Sequence, residues 1–356
     1  MARLAAVSPA TVTRVLQGRE SVRPETRRRV EEAIEALGYR PDHIARALVT
    51  RSSATVGLLL PSSGDSFWGE VAAGIEERAS ERGFSVLFAN AHGNADRELA
   101  MIEVFLAKRV DGIIVAGAAG DPARWFRHQA PELPVVLVNW DARFSPQDVD
   151  AAQVGPPDEM AASIAAETMR AGGFSHIAFD DLGASRMLVD HLVGLGHRRI
   201  AFLGAMPIRP SLLRLLGVRQ ALGAAGLRPD PVIPCEETLE AGHAAAAALL
   251  ERPEAPTAVI AYSDLVAIGV IRGLHAAGVR VPEDVSVVGY DDIEVAAFVE
   301  PPLTTVRQPK VEMGRRAMDR VLGTRTARSG PLHEVLPGEL IVRASTAPPP
   351  AGRDGR

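Results

Sequence analysis

Residues 4–18 read LAAVSPATVTRVLQG. Ser8 is a good helix N-cap, and Pro9 suits the first helical position, where the missing N–H costs nothing. Val12, Val15 and Leu16 follow at helical spacing. Upstream, Met1–Ala6 is short and helix-prone, and Ala6-Val7 makes a tight connection. Two short helices meeting across a turn of about three or four residues is the spacing of a helix-turn-helix. Gly18 closes the second helix. A third is predicted from Arg23-Pro24-Glu25-Thr26 to Gly38, with Val30, Ile34 and Leu37 as its core stripe. Arg27, Arg28 and Arg29 read either as a solvated face or as phosphate contacts. Beyond them, Pro41 opens a further stretch through Leu48. It would span about two turns, too short to hold alone in water, so its folding depends on a partner surface.

Composition supports a basic head on an acidic body. The 356 residues carry a net charge of -5, while residues 1–51 hold ten Arg against six acids, a net of +4. The remainder therefore carries -9. A basic head points to a polyanion partner. Only Lys108 and Lys310 among the 39 basic residues are lysine, which reads as codon bias. One cysteine, Cys235, excludes a disulfide framework and a Cys-based zinc cluster. No apolar run is long enough for a membrane span, and the arginine-bearing N-terminus lacks a signal-peptide core, so the cytoplasm is expected.

The body alternates strands and helices. TVGLLLP, FSVLFAN, DGIIVAG and PVVLVNW are short apolar runs separated by amphipathic stretches at 69–82 and 96–109. A second series, RRIAFLG, TAVIAYSD and VSVVGYDD, is interleaved with helices near 211–226, 241–250, 264–278 and 310–322. This is the pattern of parallel sheets covered by helices, here as two lobes with a cleft between them. Ligands in open α/β sheets sit at the carboxyl ends of strands. Asn139, Asp180, Asp264 and Asp291 fall at such ends.

LAAVSPATVTRVLQG followed by VRPETRRRVEEAIEALGYRPDHIARAL resembles the DNA-binding head of lactose-repressor-type (LacI/GalR) regulators, and the resemblance continues almost to the C-terminus. It implies an all-α helix-turn-helix head on an α/β, periplasmic-binding-protein-like body of two parallel-sheet lobes. The implied domains are a DNA-binding head (1–40), a hinge helix and linker (41–54), an effector-binding and dimerisation body (55–344) and a disordered tail (345–356). The second helix would enter the major groove with Ser8, Pro9, Ala10, Thr11 and Arg14 at its contact positions. Arg14 would read guanine, a contact worth roughly 1–3 kcal/mol of discrimination. Pro9 and Ala10 offer only apolar contact. Leu48 matches the leucine that the family wedges into the minor groove.

For the effector, the resemblance assigns Trp68 as the aromatic on which a ring stacks, Arg214 as the effector-binding arginine and Asp291 as the effector-binding carboxylate. Asn139, Asp180 and Asp264 are further candidates, with helix capping as the competing reading. Glu237 stands where many members carry an aromatic, which argues against assuming a purine or a galactoside. Phe67 reads equally as core or pocket.

Two departures stand out. Met1 falls where the family commonly has Val inside the first helix, and GTG both encodes Val and serves as a start codon. The expectation is a chain begun at an internal GTG and lacking several residues, hence a weakly anchored first helix. Residues 140–176 form an insertion that partly repeats the next unit: Asp158, Ala161 and Gly173 recur as Asp181, Ala184 and Gly196. It reads as an added strand–helix element or as chance similarity in an Ala-rich chain.

No phosphate loop, GxSxG or HExxH is present in the sequence, and no metal or other cofactor is expected. The leading reading is a transcriptional regulator, most simply a repressor: a homodimer on a pseudo-palindromic double-stranded operator, controlled by a small-molecule effector of carbohydrate type. A cytoplasmic sugar-binding receptor without DNA-binding activity is the alternative, and a sugar-metabolising enzyme on the same sheet is a third.

Overall fold

The structure is a computed structural model. It describes all residues except 17–21, 39–51, 63, 118–121, 140–173, 205–208, 229–231, 253, 327–329 and 352–356. The chain divides into two compact units, Met1–Ser53 and Ala54–Arg356.

In the first unit, helix α1 spans Pro9–Leu16 and α2 spans Pro24–Ala36. Ser8 caps α1 as expected: its hydroxyl accepts from the Thr11 N–H at 3.1 Å. Residues 2–6 form a turn rather than a helix. It is closed by bonds from Ala5 N to Met1 O and from Val7 N to Ala2 O, and it ends with Ala6 at φ 47°. Ala5, Val12, Val15, Val30 and Ala33 make the small core. Leu37, expected in that core, is 54% exposed, because α2 has already ended one residue earlier. Arg29, one of the three read either as a solvated face or as phosphate contacts, stays exposed while its guanidinium donates to Ala5 O at 2.6 Å and Ala6 O at 3.1 Å. A cation thus satisfies carbonyls that the short turn leaves unpaired.

The second unit is built on two parallel sheets. In the first, β1 (Thr55–Leu60), β2 (Ser85–Asn90), β3 (Gly112–Ala116), β4 (Val135–Val138) and β5 (Ser175–Phe179) are joined by β11 (His333–Leu336) in the order β11-β5-β4-β3-β1-β2. Helices α3 (Ser66–Glu81), α4 (Ala95–Ala107) and α5 (Pro122–Gln129) connect its early strands. In the second sheet the order is β7-β6-β8-β9, from β6 (Ile200–Gly204), β7 (Ile233–Pro234), β8 (Ala258–Ala261) and β9 (Ser286–Val288). Its helices are α6 (Asp181–Gly194), α7 (Arg209–Ala224), α8 (Leu239–Leu250) and α9 (Asp264–Ala276). Strands β3, β4, β6 and β8 are buried along their whole length, which is why they read as unbroken apolar runs rather than alternating ones.

The chain crosses between the lobes three times: between β5 and α6, between β9 and α10 (Lys310–Thr326), and between β11 and β12 (Glu339–Ile341). β10 (Thr305–Arg307) pairs antiparallel with β12 beside these crossings. The inserted stretch lies outside the described residues but for Phe174 to His176, which lead into and open β5. The tail differs from the expectation of disorder from residue 345. Ser345 Oγ accepts from Thr304 N at 2.8 Å and donates to Val287 O at 2.6 Å, while Ala347 O bonds the buried His197. Backbone and hydroxyl bonding, invisible to composition, fixes this Pro-rich end.

α10 returns to the first lobe and lies on α3 so closely that two glycines face each other's backbone. A Cβ on Gly74 would sit 2.1 Å from Val311 O, and one on Gly314 2.1 Å from Val71 O. We predict that Gly74→Ala lowers stability by about 2 kcal/mol, because the forced separation of two helices outweighs the roughly 1 kcal/mol that Ala gains in helix propensity. Chemical denaturation checks this. A variant as stable as the wild type would show that the helices can part freely.

Candidate functional site

Three strand ends and one helix meet where the lobes join. Asp181 opens α6 after β5, Tyr262 follows β8, Tyr290-Asp291 follows β9, and α7 supplies Arg214. Arg214 is 5% exposed. Its Nε donates to Asp181 Oδ1 at 2.8 Å, one terminal nitrogen to Tyr262 O at 2.5 Å, and the other to Asp291 Oδ1 at 3.4 Å. The guanidinium also lies between two aromatic rings, 3.8 Å from the Tyr290 centroid and 4.6 Å from that of Tyr262. Burial alone would disfavour its charge; the two carboxylates and the ring faces reverse this and hold its pKa well above the ordinary value.

Asp291 occupies a left-handed backbone position, φ 108°, fixed by its N–H on Val306 O. Its Oδ1 accepts from Gln308 Nε2 at 2.6 Å as well as from Arg214; its Oδ2 takes part in neither contact. Burial raises its pKa to about 6 against the pull of Arg214 and Lys310. Lys310, also buried, spends its ammonium on Asp291 O, Asp292 O and Glu70 Oε1, at 2.9, 2.9 and 2.8 Å. On the first lobe, the Trp68 ring is half-buried against Gly117, where a Cβ would lie 2.5 Å from it. Gly117 also has φ +53°, so both the close approach and the backbone favour glycine there. Phe67 is core, packed edge-on to Trp68 with centroids 4.8 Å apart.

The remaining expected residues each make bonds within the body. Asp180 caps α6 by accepting from Gly183 N at 2.9 Å, and Asn139 accepts from Phe179 N at 3.0 Å across the first sheet. Asp264 is fully buried: one oxygen accepts from Ile293 N at 2.9 Å, the other from the Thr305 hydroxyl at 2.6 Å. The structure brings Arg214 and Asp291 together and gives each of these three a hydrogen bond within the fold. Ser8, Pro9, Ala10 and Arg14 are exposed along α1, with Thr11 half-exposed. Leu48 lies outside the described residues.

Sequence reading missed Asp181, Tyr262, Tyr290 and the role of Glu237. Two of the chain's three tyrosines flank Arg214, a rarity that was a usable signal. Asp181 hid behind Asp180: of two adjacent carboxylates at a helix start, one caps and the other turns into the core. Glu237, in the β7–α8 loop, is half-buried and has its pKa pushed to about 8, first by burial, then by Asp291 and Asp65.

Comparison with known proteins agrees with this fold. Residues 1–42 match the family model "Bacterial regulatory proteins, lacI family", and residues 189–346 match "Periplasmic binding protein-like domain". The ribose operon repressor of Escherichia coli (strain K12) is 33% identical over 323 residues, covering 90% of each chain. The HTH-type transcriptional regulator CelR of Thermobifida fusca is 35% identical over 358 residues, covering 97% of this chain and 96% of its own. A crystal structure of the lac repressor dimer bound to operator and the anti-inducer ONPF superposes with a TM-score of 0.82 at 27% identity, covering 97% of both chains. A CelR–cellobiose complex superposes at 0.68 with 32% identity, covering 97% of this chain and 98% of that one. No helix among the described residues is long and apolar enough to cross a membrane.

The carboxyls make stability depend on pH. Burial raises Asp264 and Glu237 to about 8 and Asp291 to about 6, so the folded chain holds protons that the unfolded chain has already released. Stability is then complete at low pH and falls as pH rises towards about 8. His176, which burial lowers to about 3, works in the opposite sense only below the ordinary histidine range. The clean window therefore runs from about pH 6.5 to 9. Differential scanning calorimetry should find the body's unfolding midpoint falling by several degrees across it. A flat or rising midpoint would show that these carboxyls titrate as ordinary surface groups.

Proposed function

The chain belongs to the lacI family of bacterial regulatory proteins, and on that premise we propose that it is a transcriptional repressor that binds a pseudo-palindromic operator as a homodimer under the control of a sugar. The protein is a DNA-binding transcriptional regulator, as its relatives are. The observation that carries the finer reading is the pairing of Arg214 and Asp291 at the lobe junction, with the Trp68 ring on the first lobe. A flat apolar ring suits a sugar face, and a carboxylate oxygen outside the ion pair suits a sugar hydroxyl. Solved relatives with bound cellobiose and ribose support this ligand class. The operator-bound lac repressor dimer supports the assembly.

On the DNA side, α1 presents Ser8, Pro9, Ala10 and Arg14 on one exposed face, while Val12 and Val15 anchor the other in the head's core. Arg14 is the one long side chain of α1 able to make a forked contact with guanine. An effector at the junction acts on DNA binding only through unequal affinity for the two arrangements of the lobes.

Two outcomes follow. Arg14→Ala lowers affinity for the operator by about 10- to 100-fold while affinity for unrelated DNA falls far less, as measured by fluorescence anisotropy with both duplexes. An equal fall on both would make Arg14 a phosphate contact. Asp291→Asn, which keeps the side chain's shape, raises the sugar concentration needed for half-maximal change in operator binding by at least about tenfold, from a lost charged hydrogen bond. An unchanged response would remove Asp291 from the ligand contacts.

A further inference from the structure

Lysine is scarce in this chain: two of its 39 basic residues, Lys108 and Lys310, carry an ammonium and the rest a guanidinium. Lys108 is exposed at the end of α4, where either head group serves. Lys310 is 3% exposed. The two head groups differ in shape: an ammonium offers its donors from a single atom, whereas a guanidinium spreads them over a flat fork. Around Lys310 Nζ the acceptors converge on a point. Asp291 O and Asp292 O lie at 2.9 Å each and Glu70 Oε1 at 2.8 Å, one acceptor for each N–H.

The two carbonyls belong to a backbone that needs support. Asp291 and Asp292 both stand in the left-handed region, at φ 108° and 51°. Aspartate visits that region as a single residue, but two in succession are strained and persist only where the surroundings hold them. Other ties act on this pair: Asp291 N–H donates to Val306 O at 2.9 Å, and the Asp292 carboxylate accepts from Arg307 at 2.7 Å and Arg343 at 2.6 Å. Arg307 lies in β10 and Arg343 just after β12, both beside the crossings. Lys310 alone, among the described cations on the pair, is carried by a helix seated on the first lobe. α10 meets α3 backbone to backbone at Gly74 and Gly314, and Glu70 lies on the same α3. The ammonium therefore holds the strained turn from the first lobe. One of the carbonyls it holds belongs to the residue whose carboxylate meets Arg214 and Gln308.

We propose that Lys310 is the positioning residue of the effector site: its ammonium, anchored by Glu70, fixes the left-handed turn that presents the Asp291 carboxylate. The proposal rests on the reading of the lobe junction as the effector site and adds to it the residue on which the geometry of Asp291 depends. Without the ammonium, two carbonyls of the turn lose their donor and the strain is no longer opposed. The turn then relaxes and Asp291 Oδ1 leaves Arg214 and Gln308. A guanidinium does not replace the ammonium, because a longer, flat fork in a buried site cannot direct its donors from one point. Lys310 touches no ligand in this scheme; it acts through Asp291.

Amide hydrogen exchange, read by mass spectrometry on the full chain without ligand, tests the turn. In Lys310→Met the amides of residues 289–293 are expected to exchange at least about tenfold faster, and in Lys310→Arg at least about threefold faster, while β1 stays within about twofold of the wild type. Glu70→Ala alters a half-buried side chain and keeps the test open should Lys310→Met fail to fold; there the turn is expected to exchange about threefold faster. Unchanged exchange at the turn in Lys310→Met or Glu70→Ala, a wild-type rate in Lys310→Arg, or an equal rise at the turn and in β1 each overturns the proposal. The link to the effector is read by calorimetry with ribose and cellobiose, in a cycle that combines Lys310→Met with Asp291→Asn. Whichever sugar binds is expected to lose at least about tenfold in affinity from Lys310→Met alone, but less than about threefold when Asp291→Asn is already present, because both changes act through one carboxylate. Equal losses in the two backgrounds give Lys310 a merely structural role and overturn the proposal. The underlying site reading fails separately: a sugar that binds equally well to Asp291→Asn and to wild type binds elsewhere. With neither sugar bound, the exchange experiment decides alone.

Discussion

The body depends on one buried guanidinium. Removing a charged Arg from water costs several kcal/mol unless its donors and charge are met. Arg214 meets that requirement with two carboxylates, one carbonyl and two tyrosine rings. Its partners are drawn from α6 just after the first lobe crossing, from the end of β8, and from the loop after β9 that leads to the second crossing. The crossings and the second sheet are therefore tied to one point by charge and hydrogen bonds rather than by apolar contact alone. Tyr290 strengthens the tie by donating its hydroxyl to Asp181 O at 3.0 Å.

That arrangement explains why the junction suits a switch. Apolar packing tolerates small sliding, whereas charged hydrogen bonds in a low-dielectric setting lose much of their strength over fractions of an ångström. The contact between Arg214 and Asp291, at 3.4 Å, is the longest of the set, so it has the least to lose when a ligand competes for either partner. Lys310, carried on α10 of the first lobe, holds the carbonyls of Asp291 and Asp292. Lys310 thereby ties that lobe to the same loop that presents the Asp291 carboxylate.

Much of the architecture was legible in residue order. Ser8-Pro9 starts a helix wherever it stands before an apolar stripe, and α1 begins there. The short apolar runs at 55–60, 112–116, 135–138 and 258–261 read as strands buried on both faces, and they are strands buried throughout but for half-buried Thr55. Short elements were not legible. β7 is two residues long, β10 and β12 draw their order from pairing with each other beside the lobe crossings, and β11 draws its order from β5 at the edge of the first sheet. Leu37 illustrates the limit of spacing arguments: it continues the apolar stripe of α2, yet the helix ends before it and it stays exposed.

The site divides along the same line. The sequence placed Asp291 at a strand end where ligands bind, resemblance to the family added Arg214, and Arg14 fell on the helix that follows Ser8-Pro9. Such positions follow from local chemistry: caps, periodicity and the ends of strands. Only the tertiary structure decided which polar residues belong to the fold. Asp180, Asp181 and Asp264 are the same residue type at equivalent strand ends. One caps a helix, one neutralises Arg214 and one ties β8 to the segment around Ile293 and Thr305. The difference lies in which donors surround each carboxylate, and those donors come from segments distant in the chain. The burial that lifts Glu237 to a pKa of about 8 is likewise a property of the lobes that enclose it rather than of its neighbours in the sequence.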